Sequence, residues 1–89
     1  MPAFIITRIQ VGDYDTWRPM FDQDRPHARE KAKSQRVFRG LDDPNMVFVH
    51  LEFDSAADAQ EARQRLVESG VLARFEDKHG PTVVVDADS

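Results

Sequence analysis

The histidines are the first candidates for chemistry in this chain, which contains three of them and no cysteine. The absence of cysteine excludes disulfides, thiol nucleophiles and cysteine-based zinc or iron–sulfur sites. His27, His50 and His79 are far apart in sequence, and no two of them have the i, i+4 spacing of a helical metal site. We therefore expect no metal and no cofactor, so any chemistry has to depend on aromatic residues, a histidine or an arginine.

His50 is a candidate catalytic residue because it shares a strand face with Glu52, and Arg8 lies on the same face of a neighbouring strand. An arginine–glutamate pair beside an imidazole can tune its pKa and make it a general base. The alternative is a polar cluster that fixes the register of a dimer.

His79 is the second candidate proton carrier, because it precedes Gly80 and Pro81 and we expect a loop there, at the mouth of a pocket. The alternative is an ordinary solvent-exposed loop histidine. His27 follows Pro26 in a charged segment and is expected at the surface.

Three aromatic residues, Tyr14, Trp17 and Phe21, recur at the spacing of one helix face. They can form the wall of a flat pocket for an aromatic substrate, between the helix and a sheet. The alternative is that they are core residues, since the single tryptophan of a small chain usually anchors packing.

A locally basic segment follows these aromatic residues, with Glu30 as its one acidic member. An anionic ligand can use such a segment, but cations near a helix C-terminus also complement the helix dipole. Its cations are Arg25, Arg29, Lys31, Lys33, Arg36 and Arg39.

Hydrophobic spacing predicts six elements in the order β-α-β-β-α-β. They are a strand over 3–11, a helix over about 13–33 that Pro19 and Pro26 kink, strands over 36–41 and 46–53, a helix from 54 or 55 to 69, and a strand over 82–85. Asp13 is the predicted N-cap of the first helix, and Ser55 with Asp58 resembles a capping box for the second. One or two further helical turns are expected after Gly70.

This order is that of the ferredoxin-like α+β fold, a four-stranded antiparallel sheet with both helices on one face. The strand face under the helices is almost purely apolar, whereas the other face begins apolar and ends polar. Because two helices cannot cover both faces, we expect the second face to pack against another copy in a homodimer. The predicted interface consists of Phe4, Ile6, Arg8, Met46, Phe48, His50 and Glu52.

The composition excludes several classes of function. The chain has 89 residues and a net charge of −4, which fits one domain over 1–89 with a frayed tail at 87–89 and argues against a nucleic-acid binder. The longest apolar stretch is far too short to span a membrane, and no signal peptide is recognisable, so a cytoplasmic location is expected. Phosphate-binding loops, nucleophile elbows and dinucleotide fingerprints are absent.

Several segments resemble those of small dimeric α+β-barrel proteins that are described as antibiotic-biosynthesis-monooxygenase-like or cyclase-like. The segments are Val11-x-Asp13-Tyr14-x-x-Trp17-x-x-x-Phe21-Asp22, Val37-Phe38-Arg39, Asp43-Pro44-Asn45 and Glu52-Phe53-Asp54. The resemblance implies the ferredoxin-like fold and a homodimer whose two sheets form a barrel. The chain departs from the pattern after Ser69.

Two hypotheses for function follow. In the first, the resemblance implies a cofactor-independent monooxygenase, cyclase or isomerase that acts on a hydrophobic aromatic or polyketide-like molecule, with His50 or His79 as proton carrier. In the second, the protein is a non-catalytic ligand-binding or structural dimer. A third alternative, heme binding or degradation, needs an axial histidine facing the cleft, whereas strand alternation places His50 on the opposite face.

Overall fold

The computed structural model describes residues 1–24, 27 and 29–88. Four strands form one antiparallel sheet in the order β2-β3-β1-β4, and two helices complete the predicted β-α-β-β-α-β arrangement of the ferredoxin-like fold. The elements are β1 (Ala3–Gln10), α1 (Tyr14–Asp22), β2 (Ser34–Arg39), β3 (Met46–Phe53), α2 (Ala56–Ser69) and β4 (Lys78–Val85).

The two central strands have the faces that alternation predicts. Every second residue of β1, starting at Ala3, is buried, and so is every second residue of β3, starting at Val47. The register pairs Ile5 with Leu51 on this buried face and Ile6 with His50 on the other. We call the buried side the inner face and the opposite side the outer face.

The start of α1 depends on a different residue from the one predicted. Asp13 occupies the N-cap position, but its carboxylate accepts a hydrogen bond from the Thr16 hydroxyl instead of capping a backbone amide. The free amide of Tyr14 donates to the side-chain oxygen of Asn45, 2.9 Å away in the turn between β2 and β3. The turn between β2 and β3 therefore also serves as the cap of α1.

The predicted helix over 13–33 is too long, since α1 ends at Asp22. Pro19 lies inside it, and the backbone then enters the left-handed region at Asp24 (φ 45°) and His27 (φ 55°), which ends helical hydrogen bonding. The amide of Lys33 donates to the Glu52 carbonyl at 2.7 Å and so already extends the sheet. The kink predicted at Pro26 lies outside the described residues.

Helix α2 begins and ends as predicted. The Ser55 hydroxyl accepts from the Asp58 amide at 3.2 Å, and Gly70 ends the helix with a left-handed backbone (φ 74°). The further helical turns expected after Gly70 do not form. Instead, two β-turns follow, in which the amide of Ala73 donates to the Gly70 carbonyl and the amide of Phe75 donates to the Leu72 carbonyl.

Strand β4 is twice as long as predicted, because Gly80 and Pro81 do not interrupt it. The two residues form a bulge opposite Thr7, where the register with β1 shifts. Gly80 has φ +92°, and a Cβ there would lie 2.6 Å from the Ile6 carbonyl oxygen, so this close approach requires glycine. Strand β2 also differs from its prediction and begins two residues earlier, at Ser34.

The C-terminal tail follows β4, and Asp88 donates its amide to the Asp86 carboxylate at 2.8 Å. The predicted frayed tail includes Ser89, which lies outside the described residues. Neither α1 nor α2 has the length and apolar character to cross a bilayer, and the rest of the described chain holds no such helix.

Candidate functional site

A cavity of about 280 Å³ lies between α1, the inner face of the sheet and the segment from the end of α2 to Phe75. Thr7 and Ile9 of β1 form part of its floor, and Leu66 and Leu72 close it from the opposite side. Protein interiors are packed at close to crystal density and rarely contain voids of this size. The space therefore has the dimensions of a binding site for a small molecule.

An aromatic pair forms one wall of this cavity. The rings of Trp17 and Phe21 are stacked with centroids 4.8 Å apart and an interplanar angle of 29°. Trp17 is also part of the buried core, so the two interpretations of this residue, pocket wall and packing anchor, hold together. That the pair contacts a substrate stays a prediction.

Tyr14, the third aromatic residue predicted for the pocket, does not line the cavity. Its ring lies 5.9 Å from that of Trp17 and carries the guanidinium of Arg39 at 3.9 Å. Its hydroxyl accepts a hydrogen bond of 2.9 Å from Arg18, which raises the pKa of that guanidinium. Because these contacts hold Tyr14 on the far side of Trp17, its role here is to support the wall.

Arg29 supplies a positive charge to the cavity and is largely buried, with 12% of its side chain exposed. Its guanidinium lies 4.0 Å from the centroid of Phe21, donates to the Phe21 carbonyl, and is 3.4 Å from the Asp24 carboxylate. Asp24 also lines the cavity. Nη1 of Arg29 also donates to the side-chain oxygen of Gln35 in β2 at 2.8 Å, so the polar side of the pocket is an arginine held between the last turn of α1 and β2.

The other described cations of the basic segment do not join Arg29 in one anion-binding site. Lys31 contacts Glu61 at 3.4 Å, and Lys33 contacts Asp54 at 3.3 Å. Arg36 and Arg39 lie over aromatic rings of the sheet and of α1, respectively. Arg25, the remaining member of the segment, lies outside the described residues.

The predicted cluster of His50, Glu52 and Arg8 does not form. His50 lies on the outer face and meets Phe38 edge to face, with centroids 5.1 Å apart. Arg8 lies four residues along β1 from the position opposite Glu52, and it donates to Asp77 at 2.9 Å. Its ion-pair partner is therefore on the segment before β4.

His79 is not at the mouth of the pocket, which corrects that expectation. It belongs to β4, lies opposite Arg8 and is exposed on the outer face. Neither His79 nor His50 lines the cavity, since the sheet separates both from α1 and α2. His27 is exposed, as expected for a surface residue, and its Nδ1 lies 3.0 Å from Glu30.

Three polar or charged residues of the site were missed by sequence reasoning: Thr7, Asp24 and Arg74. Thr7 is buried (5% exposed) on the inner face, and as the one polar residue in an apolar strand face it was the available signal for a polar contact there. Arg29 was named only as one cation of the basic segment, and nothing in the sequence singled it out, because its position beside Phe21 depends on the tertiary structure. Among the described residues, no three histidine or acidic side chains are grouped so as to hold a metal ion.

Comparison with known proteins identifies the fold. No protein-family model matches the sequence, and no curated protein matches it. Among solved structures, Rv0793 of Mycobacterium tuberculosis is 15% identical with a TM-score of 0.70, covering 100% of this chain and 98% of its own. SnoaB, a cofactor-independent oxygenase of Streptomyces nogalater, is 12% identical with a TM-score of 0.73 and coverages of 99% and 95%.

A candidate antibiotic biosynthesis monooxygenase of Nitrosomonas europaea is also similar, at 12% identity and a TM-score of 0.70, with coverages of 97% and 90%. At these identities the likeness concerns the fold. The resemblance to antibiotic-biosynthesis-monooxygenase-like proteins that the sequence motifs predict is thus confirmed as a shared ferredoxin-like α+β fold.

Proposed function

We propose that this protein binds a hydrophobic, aromatic small molecule in the cavity beside Trp17 and Phe21. The observation that carries the proposal is the cavity itself, which has an apolar floor and a stacked aromatic wall. An aromatic ligand would gain apolar burial from the floor and an offset-stacked or edge-to-face contact from the wall.

A second candidate function is catalysis by a cofactor-independent oxygenase, cyclase or isomerase. The likeness of fold to an oxygenase of that kind supports it. In such a reaction the substrate has to become an electron-rich anion, and the Arg29 guanidinium is placed to stabilise that charge. Among the described residues, Asp24 is the one carboxylate that lines the cavity and no histidine lines it. Because the Asp24 carboxylate is held against Arg29, the geometry favours binding over acid–base catalysis.

The proposed unit is a homodimer that pairs the outer faces of two sheets. The apolar residues of this face remain accessible in one chain, with Ile6 36% and Phe38 39% exposed. Phe48 lies in β3, between β1 and β2, opposite both Arg8 and Phe38. Burying such a face against its own copy is the usual way in which a small chain completes its core.

Binding can be tested with 2-naphthol, a neutral two-ring probe. Trp17 is the single tryptophan, so its indole N–H gives one resolved signal in a ¹H–¹⁵N spectrum. We expect saturable shifts of this signal on titration. Val49→Phe, which fills the floor of the cavity, should abolish them, whereas Val67→Phe on the exposed side of α2 should not.

Circular dichroism establishes that each variant is folded. If Val49→Phe does not fold, Val71→Phe narrows the same cavity from the segment after α2. Absence of a saturable shift in the native protein, or equal binding by the filled and control variants, would reject the proposal.

A further inference from the structure

We infer that the ligand of this cavity is an aromatic acid of about two rings, whose carboxylate is bound by Arg74 and Arg29 at the C-terminal end of α1. The inference rests on the proposed function and defines the chemical class of the ligand. It follows from three observations: the volume of the cavity, the sign of its lining charges and the placement of its two arginines.

The volume limits the size of the ligand. An apolar cavity of about 150 Å³ in another protein accepts a single benzene ring. At about 280 Å³ this cavity has somewhat less than twice that space, which suits a two-ring aromatic body and is too small for four fused rings. The stacked pair of Trp17 and Phe21 gives the body a flat surface to pack on.

The charges of the side chains that line the cavity favour an anionic ligand. Among the described residues, the charged side chains that line the cavity are Asp24, Arg29 and Arg74, whose charges sum to +1. The Asp24 carboxylate accepts from the Arg29 amide at 3.1 Å and faces its guanidinium, so it partly compensates that one cation. The exposed guanidinium of Arg74 is then the cation that can pair with the anionic group of a ligand.

The two arginines approach the same end of α1 from different segments. Arg29 lies against Phe21, and the Arg74 guanidinium lies 3.6 Å from the sulfur of Met20, the preceding residue of the helix. Arg74 also lies 5.0 Å from the centroid of Phe75. A thioether and a ring face are weaker acceptors than a carboxylate, so a ligand carboxylate can replace them.

The burial of Arg29 strengthens its attraction for the carboxylate of a ligand. Arg29 is almost enclosed, and a charge in such surroundings acts on a nearby anion more strongly than one in water. Arg74 is exposed at the rim and can close on the ligand once its ring system has entered. The aromatic body would lie on the wall, and the carboxylate would point to the rim between the two guanidinium groups.

The deciding experiment compares 2-naphthoate with 2-naphthol by the Trp17 indole signal. We expect the native protein to bind the anion about tenfold more tightly, the typical effect of one charge-assisted hydrogen bond. Arg74→Gln should remove most of that preference, because it should weaken the binding of 2-naphthoate more than the binding of 2-naphthol. Benzoate and 2-anthroate should both bind more weakly than 2-naphthoate, because one ring underfills the cavity and three overfill it.

Arg36→Gln is the matched control, since Arg36 also lies 5.0 Å from an aromatic centroid, that of Phe38, but on the outer face. It should keep the preference for 2-naphthoate. Arg29→Gln should weaken the preference as well, and Arg29→Lys should restore part of it.

The two proposals fail in different ways. If neither naphthalene derivative binds, the proposed function is wrong and the inference falls with it. If 2-naphthol binds as well as 2-naphthoate, the protein binds an aromatic ligand but the inference is wrong. An unchanged preference in Arg74→Gln and Arg29→Gln, with lower stability, would show that these arginines only stabilise the end of α1.

Discussion

The side-chain oxygen of Asn45, in the turn between β2 and β3, accepts a hydrogen bond of 2.9 Å from the backbone amide of Tyr14, the first residue of α1. The carbonyl of Asn45 accepts a second bond of 3.0 Å, from the amide of Val11 at the end of β1. One turn residue thus joins the hairpin to the connection between β1 and α1. It thereby sets where the helix that carries Trp17 and Phe21 begins.

Asn45→Ala should lower the free energy of unfolding by about 0.5–2 kcal/mol, the range for loss of a helix cap. Asp13→Ala should cost less, because the Asp13 side chain bonds the exposed Thr16 hydroxyl and not a backbone amide. Urea unfolding followed by circular dichroism, at one protomer concentration, measures both. If Asp13→Ala lowers the free energy of unfolding more than Asn45→Ala does, then Asp13 is the residue that caps α1.

The bulge in β4 makes Gly80 the most restricted glycine of the chain. Gly80→Ala combines an unfavourable φ of +92° with a Cβ 2.6 Å from the Ile6 oxygen, so we expect a loss of about 2–5 kcal/mol. Gly12→Ala is the matched control, since Gly12 has φ +77° with open space around it and should cost about 1–2 kcal/mol. Equal losses, measured by urea unfolding, would show that the close approach to β1 costs nothing.

The predictions from the sequence were most accurate where side chains repeat with one regular spacing, such as the two-residue alternation of a strand. The alternation in β1 and β3 predicted both faces correctly, because neighbouring residues of a strand must point to opposite sides. The ends of α2 were also predictable, since Ser55 and Gly70 act through their own backbone neighbourhood. These features need no knowledge of distant contacts.

The errors in the predicted elements arise where contacts between distant parts of the chain decide the structure. The helix predicted over 13–33 included Ala32, but Ala32 packs on the core from the turn over 29–32, because α1 ends at Asp22. Gly80 and Pro81 are ordinary strand breakers, and β4 continues through them because they form a bulge opposite Thr7. The size of the cavity depends on how far the turns over 70–75 lie from the sheet. No local sequence pattern specifies that distance.

The outer face gives a prediction about assembly. Native protein should sediment at about twice the chain mass of 10.2 kDa at micromolar concentration. Ile6→Lys should give the single-chain mass, because a lysine at an already exposed position adds charge to the proposed interface without burying it in the chain. Val67→Lys adds the same charge on α2, and the dimer should persist.

Both outcomes are needed to support the interface. A native protein of single-chain mass would reject the homodimer. Dissociation by Val67→Lys and not by Ile6→Lys would place the interface on the helical side, over the cavity.

The histidines give the sharpest contrast between prediction and geometry. His50 and His79 lie on the outer face, and the cavity lies on the inner face, so neither side chain should affect a ligand stacked on Trp17. His50→Ala and His79→Ala should therefore change the affinity for 2-naphthol by less than about twofold, well below the effect of losing a direct contact. Sedimentation of each variant controls for the assembly, because His50 belongs to the proposed interface. If either variant loses binding while keeping the native mass, the site must extend across the sheet, and the catalytic role first predicted for that histidine would regain its support.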